Sequence, residues 1–89
     1  MFKTGDVLKT KMDIAETVYE GCKGTTVYNQ MMELARTRRF EVLNVVGSTY
    51  VLRHLDTDPL VELAHDKAEV HQYFEIDESL TNNNNKEER

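Results

Sequence analysis

Carboxylates are the residues of this sequence most densely gathered for chemistry. Between positions 56 and 78 stand Asp56, Asp58, Glu62, Asp66, Glu69, Glu75, Asp77 and Glu78, against a single base, Lys67. That segment carries −7, residues 36–55 carry +3, residues 1–35 carry −1 and residues 79–89 are neutral, which gives the net charge of −5. A run of this kind keeps a protein soluble. It also suits a recognition surface for a cationic partner, which would associate fast and weaken steeply with salt. Paired carboxylates serve hydrolases too, but a hydrolase needs a cleft, and a chain this short has little volume for one.

The opposite charge gathers at Arg36, Arg38 and Arg39, with Arg53 further on. These arginines suit a contact with nucleic acid or an acidic protein. They also suit helix capping and internal pairing with the acidic segment. No interleaved aromatic platform of the kind used by single-strand binders accompanies them. The overall negative balance opposes direct nucleic-acid binding, because phosphate neutralisation needs a basic face.

His54, His65 and His71 are the candidate metal ligands, but neither interval between them places two imidazoles on one helix face. No metal and no cofactor is expected. Cys22, the single cysteine, lies between Gly21 and Lys23 outside any local signature of a catalytic thiol. Gly21 and Gly24 lack the spacing and the following Lys-Ser/Thr of a phosphate loop. No catalysis is expected.

The elements that position these residues must come from one domain, since 89 residues make no more than one. A chain of this size buries only about 60–65% of its unfolded surface. One cysteine permits no internal disulfide, and a small extracellular domain would need such staples, so a reducing compartment, the cytoplasm, is expected. The opening Met1-Phe2-Lys3-Thr4-Gly5-Asp6 lacks a charged-then-apolar leader pattern. No apolar run approaches the roughly 20 residues that cross a bilayer.

Residues 6–12 are rich in β-formers and predict a first strand. Residues 13–25 show no clean period and predict a long loop with at most a short helical turn. Thr25 or Thr26 caps an amphipathic helix of about ten residues, with Val27, Met31 and Leu34 as its apolar stripe and Tyr28, Met32 and Ala35 flanking it. Met31 and Met32 are expected in the core, with adaptable methionines at a partner groove as the alternative. Phe40 to Val46, the turn Gly47-Ser48 and Thr49 to Arg53 form a hairpin. Its first strand is apolar on both faces: Phe40, Val42 and Val46 on one, Leu43 and Val45 on the other. Such a strand belongs to a sheet folded over itself or covered by a helix.

Residues 60–76 allow two readings after the Asp56-Thr57-Asp58-Pro59 turn. One is a helix through Leu60, Leu63, Ala64, Lys67 and Val70, with Asp58 as its cap. The other is a strand from Leu60 to Ala64, a helical turn from His65 to Gln72 and a closing strand from Tyr73 to Ile76. Residues 1–78 make the globular domain. Residues 79–89, dominated by asparagine and charge, are expected to be a disordered polar tail.

The order of these features resembles a known family. Gly-Asp opens a strand, a loop leads to a helix with Met-Met-Glu-Leu, a hairpin Phe40-Glu41-Val42-Leu43-Asn44-Val45-Val46-Gly47-Ser48-Thr49-Tyr50-Val51-Leu52 follows, and Tyr73-Phe74-Glu75-Ile76 closes the chain. This is similar to the small SH3-like barrel proteins encoded by phages and mobile elements of Gram-positive bacteria, over residues 4 to 76. Those proteins usually carry a Trp shortly before the closing Phe-Glu, where this chain offers Val70 or Tyr73. The resemblance implies an α+β fold: a small bent antiparallel sheet, SH3-like, with one amphipathic helix. It favours the strand reading of residues 60–64 and 73–76. It also implies host takeover, since some small acidic phage proteins bind and disable a host protein, and a few imitate DNA.

The expectation is therefore a non-catalytic acidic protein of the host-cell cytoplasm. It docks the eight carboxylates on a basic, nucleic-acid-binding host protein and blocks it, as a DNA mimic in the sharpest form of the idea. Two other classes stay open. One is a homo-oligomeric assembly protein, a dimer in its simplest form, that uses exposed apolar strand faces such as Leu43 and Val45. The other is a small nucleic-acid-binding barrel that uses Arg36, Arg38, Arg39 and Arg53.

Overall fold

The computed structural model describes residues 1–80. The chain runs β1 (Val7–Thr10), α1 (Met12–Val18), a 3-10 turn (Glu20–Cys22), α2 (Thr26–Thr37), β2 (Arg39–Val46), β3 (Thr49–His54), β4 (Val61–Asp66), α3 (Lys67–Tyr73) and β5 (Phe74–Ile76). The strands form one antiparallel sheet in the order β4-β3-β2-β1-β5. The sheet is open: β4 and β5 are its two edges and do not pair. The expected α+β class holds; the closed barrel and the single helix do not.

The extra helix lies where a loop was expected. α1 starts at Lys11, whose side chain makes no capping bond, so the start signal on which a sequence reading depends is missing. Seven residues are too few for a stable isolated helix. Packing holds it: Ala15 is buried, and α1 lies against α2. α2 starts as expected, with Thr25 Oγ1 accepting the Tyr28 N–H at 3.1 Å. Its inward stripe is shifted from the expected one. Met32 is the buried residue, with Tyr28, Met31 and Ala35 half-buried, whereas Val27 and Leu34 are exposed.

The hairpin forms at the expected place. Gly47 takes φ of +57° and Ser48 does not enter the left-handed region, the pattern of a two-residue turn with glycine first. The two-faced pattern of its first strand has a local cause. Val42 pairs with Leu52, but Asn44 pairs with Val51, so Leu43 is an extra residue in a bulge. One inserted residue swaps the faces. Beyond it Val45, opposite Tyr50, packs on the core and Val46 turns to solvent, the reverse of the expected assignment.

Residues 60–76 follow the strand reading. β4 pairs with β3 over six residues, from Thr49 opposite Asp66 to His54 opposite Val61. Asp66 ends the strand and caps α3, its Oδ2 accepting the Ala68 N–H at 3.1 Å. α3 carries the chain from one edge of the sheet to the other. It buries Val70 completely among Leu8, Phe40, Val42, Tyr50 and Leu52, with Phe2, Val45, Phe74 and Ile76 around them. Burying each of these large side chains stabilises the fold by about 1.5–3 kcal/mol. Just past the expected domain end, Ser79 bonds to Asp77, and the Leu80 N–H donates to the Asp77 carbonyl. The rest of the expected tail, residues 81–89, lies outside the described residues.

Candidate functional site

The fold divides the acidic segment between the two edges of the sheet. Asp56 and Asp58 occupy the connection before β4, and Glu62 and Asp66 lie on β4. Glu69 projects from α3. Glu75 lies on β5, and Asp77 and Glu78 follow it, at the far edge. All except Asp77 are exposed.

The eight carboxylates have different duties. Asp77 is buried and belongs to the framework. Its Oδ2 accepts Arg39 Nε at 2.7 Å, and its Oδ1 accepts the Ser79 hydroxyl at 2.6 Å and the Ser79 N–H at 3.1 Å. The Ser79 hydroxyl above all, then Arg39, holds this carboxyl below its ordinary 3.8, against the opposing effect of burial. Asp77 is thereby withdrawn from any docking surface. Glu62 pairs with Arg53 at 3.1 Å, and Arg53 also approaches Glu41 at 3.8 Å. Asp66 is occupied by its cap, and Asp56 accepts the Arg39 backbone N–H at 3.1 Å. Among the described residues Asp58, Glu69, Glu75 and Glu78 are exposed and make no side-chain ion pair.

The arginines are mostly committed. Arg36 pairs with Glu33 at 2.7 Å, Arg39 with Asp77 and Arg53 with Glu62 and Glu41. Internal pairing with the acidic segment, one of the two expected uses, accounts for Arg39 and Arg53. Among the described residues Arg38 is the arginine with no carboxylate within ion-pair distance. It stands at an open groove of about 450 Å³ between the helices and the sheet, lined chiefly by Ile14, Val18, Met31, Leu34, Tyr73 and Phe74. The groove escaped the sequence reading because part of its wall, Ile14, Ala15 and Val18, comes from α1.

The histidines form two clusters. His71 Nε2 lies 2.7 Å from Tyr50 Oη, and Oη also accepts the Phe2 N–H at 3.2 Å. Tyr50 Oη can accept from Nε2 or donate to it, according to the imidazole tautomer. Phe2 stacks on the imidazole at 4.6 Å between ring centres. Burial, and then the positive charges of the amino terminus, Lys11 and Lys67, hold His71 below its ordinary 6.5. No spacing in the sequence announces this cluster, which joins positions 2, 50 and 71 through the tertiary fold.

His54 and His65 face each other across β3 and β4. Their Nε2 atoms are 3.4 Å apart while the ring centres are 5.6 Å apart, so the rings meet nitrogen to nitrogen. Burial first, then His65 and Arg38, hold His54 below 6.5. Among the described residues no group of three or more His, Cys, Asp or Glu is placed to hold a metal ion. Cys22 is half-buried, its Sγ 3.3 Å from the Tyr19 carbonyl. No helix among the described residues is long and apolar enough to cross a membrane. No family model, no curated protein and no solved structure matches the chain.

Proposed function

We propose that this protein is a non-catalytic binding module that docks an acidic surface on a basic protein and blocks it. The observation that carries the reading is the division of labour among the charges. Three of the arginines that would face a nucleic acid are engaged by carboxylates of the same molecule. Asp58, Glu69, Glu75 and Glu78 stand exposed with no ion pair among the described residues, and Asp56, Glu62 and Asp66 are exposed as well. Asp77 is left out of the surface for the reason given above.

The partner that fits is a nucleic-acid-binding protein, whose Lys/Arg array already serves to neutralise phosphates. β5 closes the chain beside β1, as the strand reading favoured by the resemblance to SH3-like phage proteins has it, and a role in host takeover is carried as part of this proposal. DNA mimicry is the mode this reading takes if the partner's own nucleic-acid site is the one covered.

Capture from a Gram-positive bacterial lysate tests the reading. Nucleic-acid-binding proteins are expected at low salt, and they are lost at high salt or when Asp58, Glu69, Glu75 and Glu78 are changed to lysine together. Partners retained by that variant would contradict it.

A further inference from the structure

β4 is an exposed sheet edge without the usual protection. Its register with β3 is unbroken over six residues, and Val61-Glu62-Leu63-Ala64-His65-Asp66 contains neither Lys nor Pro. Natural edges are commonly blunted by such residues or by a bulge. Leu60, Val61 and Leu63 are 51%, 36% and 48% exposed.

The backbone phase is set at the end of the strand. The Lys67 N–H donates to the Ser48 carbonyl, so the odd-numbered residues of β4 are those that bond to β3. The N–H and C=O groups of Glu62 and Ala64 therefore point away from the sheet.

We infer that β4 pairs antiparallel with β4 of a second copy, joining two five-stranded sheets across a two-fold axis. The self-pairing follows from charge and parity. A two-fold normal to a sheet keeps each side chain on its own face, so it must pass midway between one residue of the strand and the same residue of the partner. Centred on Glu62 it sets that carboxylate against itself. Centred on Ala64 it sets Glu62 against the partner's Asp66. Centred on Leu63 it sets Leu63 against the partner's Leu63, Val61 against the partner's His65 and Glu62 against the partner's Ala64. Only the Leu63 register, of these three, avoids like charges directly opposite, which destabilise a sheet.

That register also uses the free backbone groups. Glu62 and the partner's Ala64 exchange two hydrogen bonds, and the symmetry repeats them. The two Leu63 side chains meet at the close, non-hydrogen-bonded position, with Cα atoms about 4.5 Å apart. They extend the apolar layer in which Leu63 lies opposite Leu52. The contact is strand-sized, which places it with the weak, transient interfaces. It is independent of the acidic-surface reading, since Glu62 keeps its Arg53 bond on the outer face.

Light scattering on the full chain is expected to give twice the 10.3 kDa monomer mass at high micromolar concentration, insensitive to salt. Ala64→Pro removes an outward N–H and leaves the β3 ladder intact, and it is expected to give a folded monomer. Leu63→Lys does the same through charge, and decides the matter if the proline variant does not fold. In a Cys22→Ser background, Leu63→Cys is expected to form a disulfide-linked dimer under mild oxidation, because 4.5 Å is a bridging distance, at about 4.4–6.8 Å between Cα atoms. Val61→Cys, opposite histidine, is not. A wild-type monomer overturns the proposal and leaves the edge to solvent or to a strand of another protein. A dimer that survives both edge variants, or equal cross-linking at positions 61 and 63, overturns it as well.

Discussion

Replacing Arg39 by alanine probes how much of the acidic segment is framework rather than surface. The side chain makes three short bonds: Nε to Asp77 Oδ2 at 2.7 Å, and Nη1 to the carbonyls of Arg36 and Arg38 at 2.9 and 2.8 Å. The Asp77 side chain is only 9% exposed, and that of Arg39 is 24% exposed. Breaking a fully buried pair costs about 3–5 kcal/mol, because one charge is left without a partner. Two features lower the figure here. Ser79 still satisfies Oδ1, and water reaches the arginine. The expected loss is about 2–3 kcal/mol, the value of bonds to charged groups with one orphaned oxygen. Domains hold about 0.05–0.15 kcal/mol of stability per residue, so this is a large share of the total.

The same pair sets an acid dependence. The Asp77 carboxyl lies below 3.8 in the folded protein. The unfolded chain therefore binds the proton more readily, and the contribution is complete above the ordinary carboxylate value. It is lost as pH falls through the depressed folded value. Urea unfolding of wild type, Arg39→Ala and Asp77→Asn at neutral pH and near pH 3 checks both statements. Arg39→Ala should lower the midpoint at neutral pH, and Asp77→Asn should flatten the acid-induced loss. An Arg39→Ala protein within about 0.5 kcal/mol of wild type, the scatter of ordinary surface changes, would refute the reasoning.

The histidine clusters act at higher pH. His54 and His71 are held below 6.5 in the fold, so the unfolded chain takes up protons first and stability declines as pH falls below about 6.5. Thermal melts across that range should show the decline, and Tyr50→Phe, which deletes the hydroxyl bonded to His71, should change it while costing about 1 kcal/mol. Asp66→Ala should lose the cap of α3, about 1 kcal/mol by urea unfolding, whereas Asp58→Ala, with no side-chain bond, should be silent. Gly47→Ala should destabilise the hairpin by about 1–2 kcal/mol in the same assay, because φ of +57° burdens any side chain. The residue has open space around it, so a steric clash is not the cause.

How much the sequence revealed depended on whether the signal was local. The Gly47-Ser48 turn and the Thr25 cap are written in adjacent residues, and both formed where expected. α1 was hidden because Lys11 is no capping residue and Ile14, Ala15 and Val18 span too little chain to show a period. The bulge at Leu43 is invisible in composition, yet it reverses the fates of Val45 and Val46. The run of eight carboxylates was legible as charge, but its division between β4 and β5 was not, because α3 carries the chain from one edge to the other. Asp77 looked like its neighbours in sequence. Only the return of β5 beside β1 brings it to Arg39, 38 positions away.

The central claim is that an acidic surface of definite place, not negative charge in general, meets a cationic partner. Titrating the isotope-labelled protein with an arginine- and lysine-rich peptide at low salt, and following backbone amide shifts, tests it most directly. Asp13, Glu16 and Glu20, exposed on α1 and the 3-10 turn, are the internal control. The account predicts saturable, salt-sensitive shifts centred on Asp58, Glu69, Glu75 and Glu78, with α1 unmoved. Shifts spread equally over α1, or none that saturate, would contradict it.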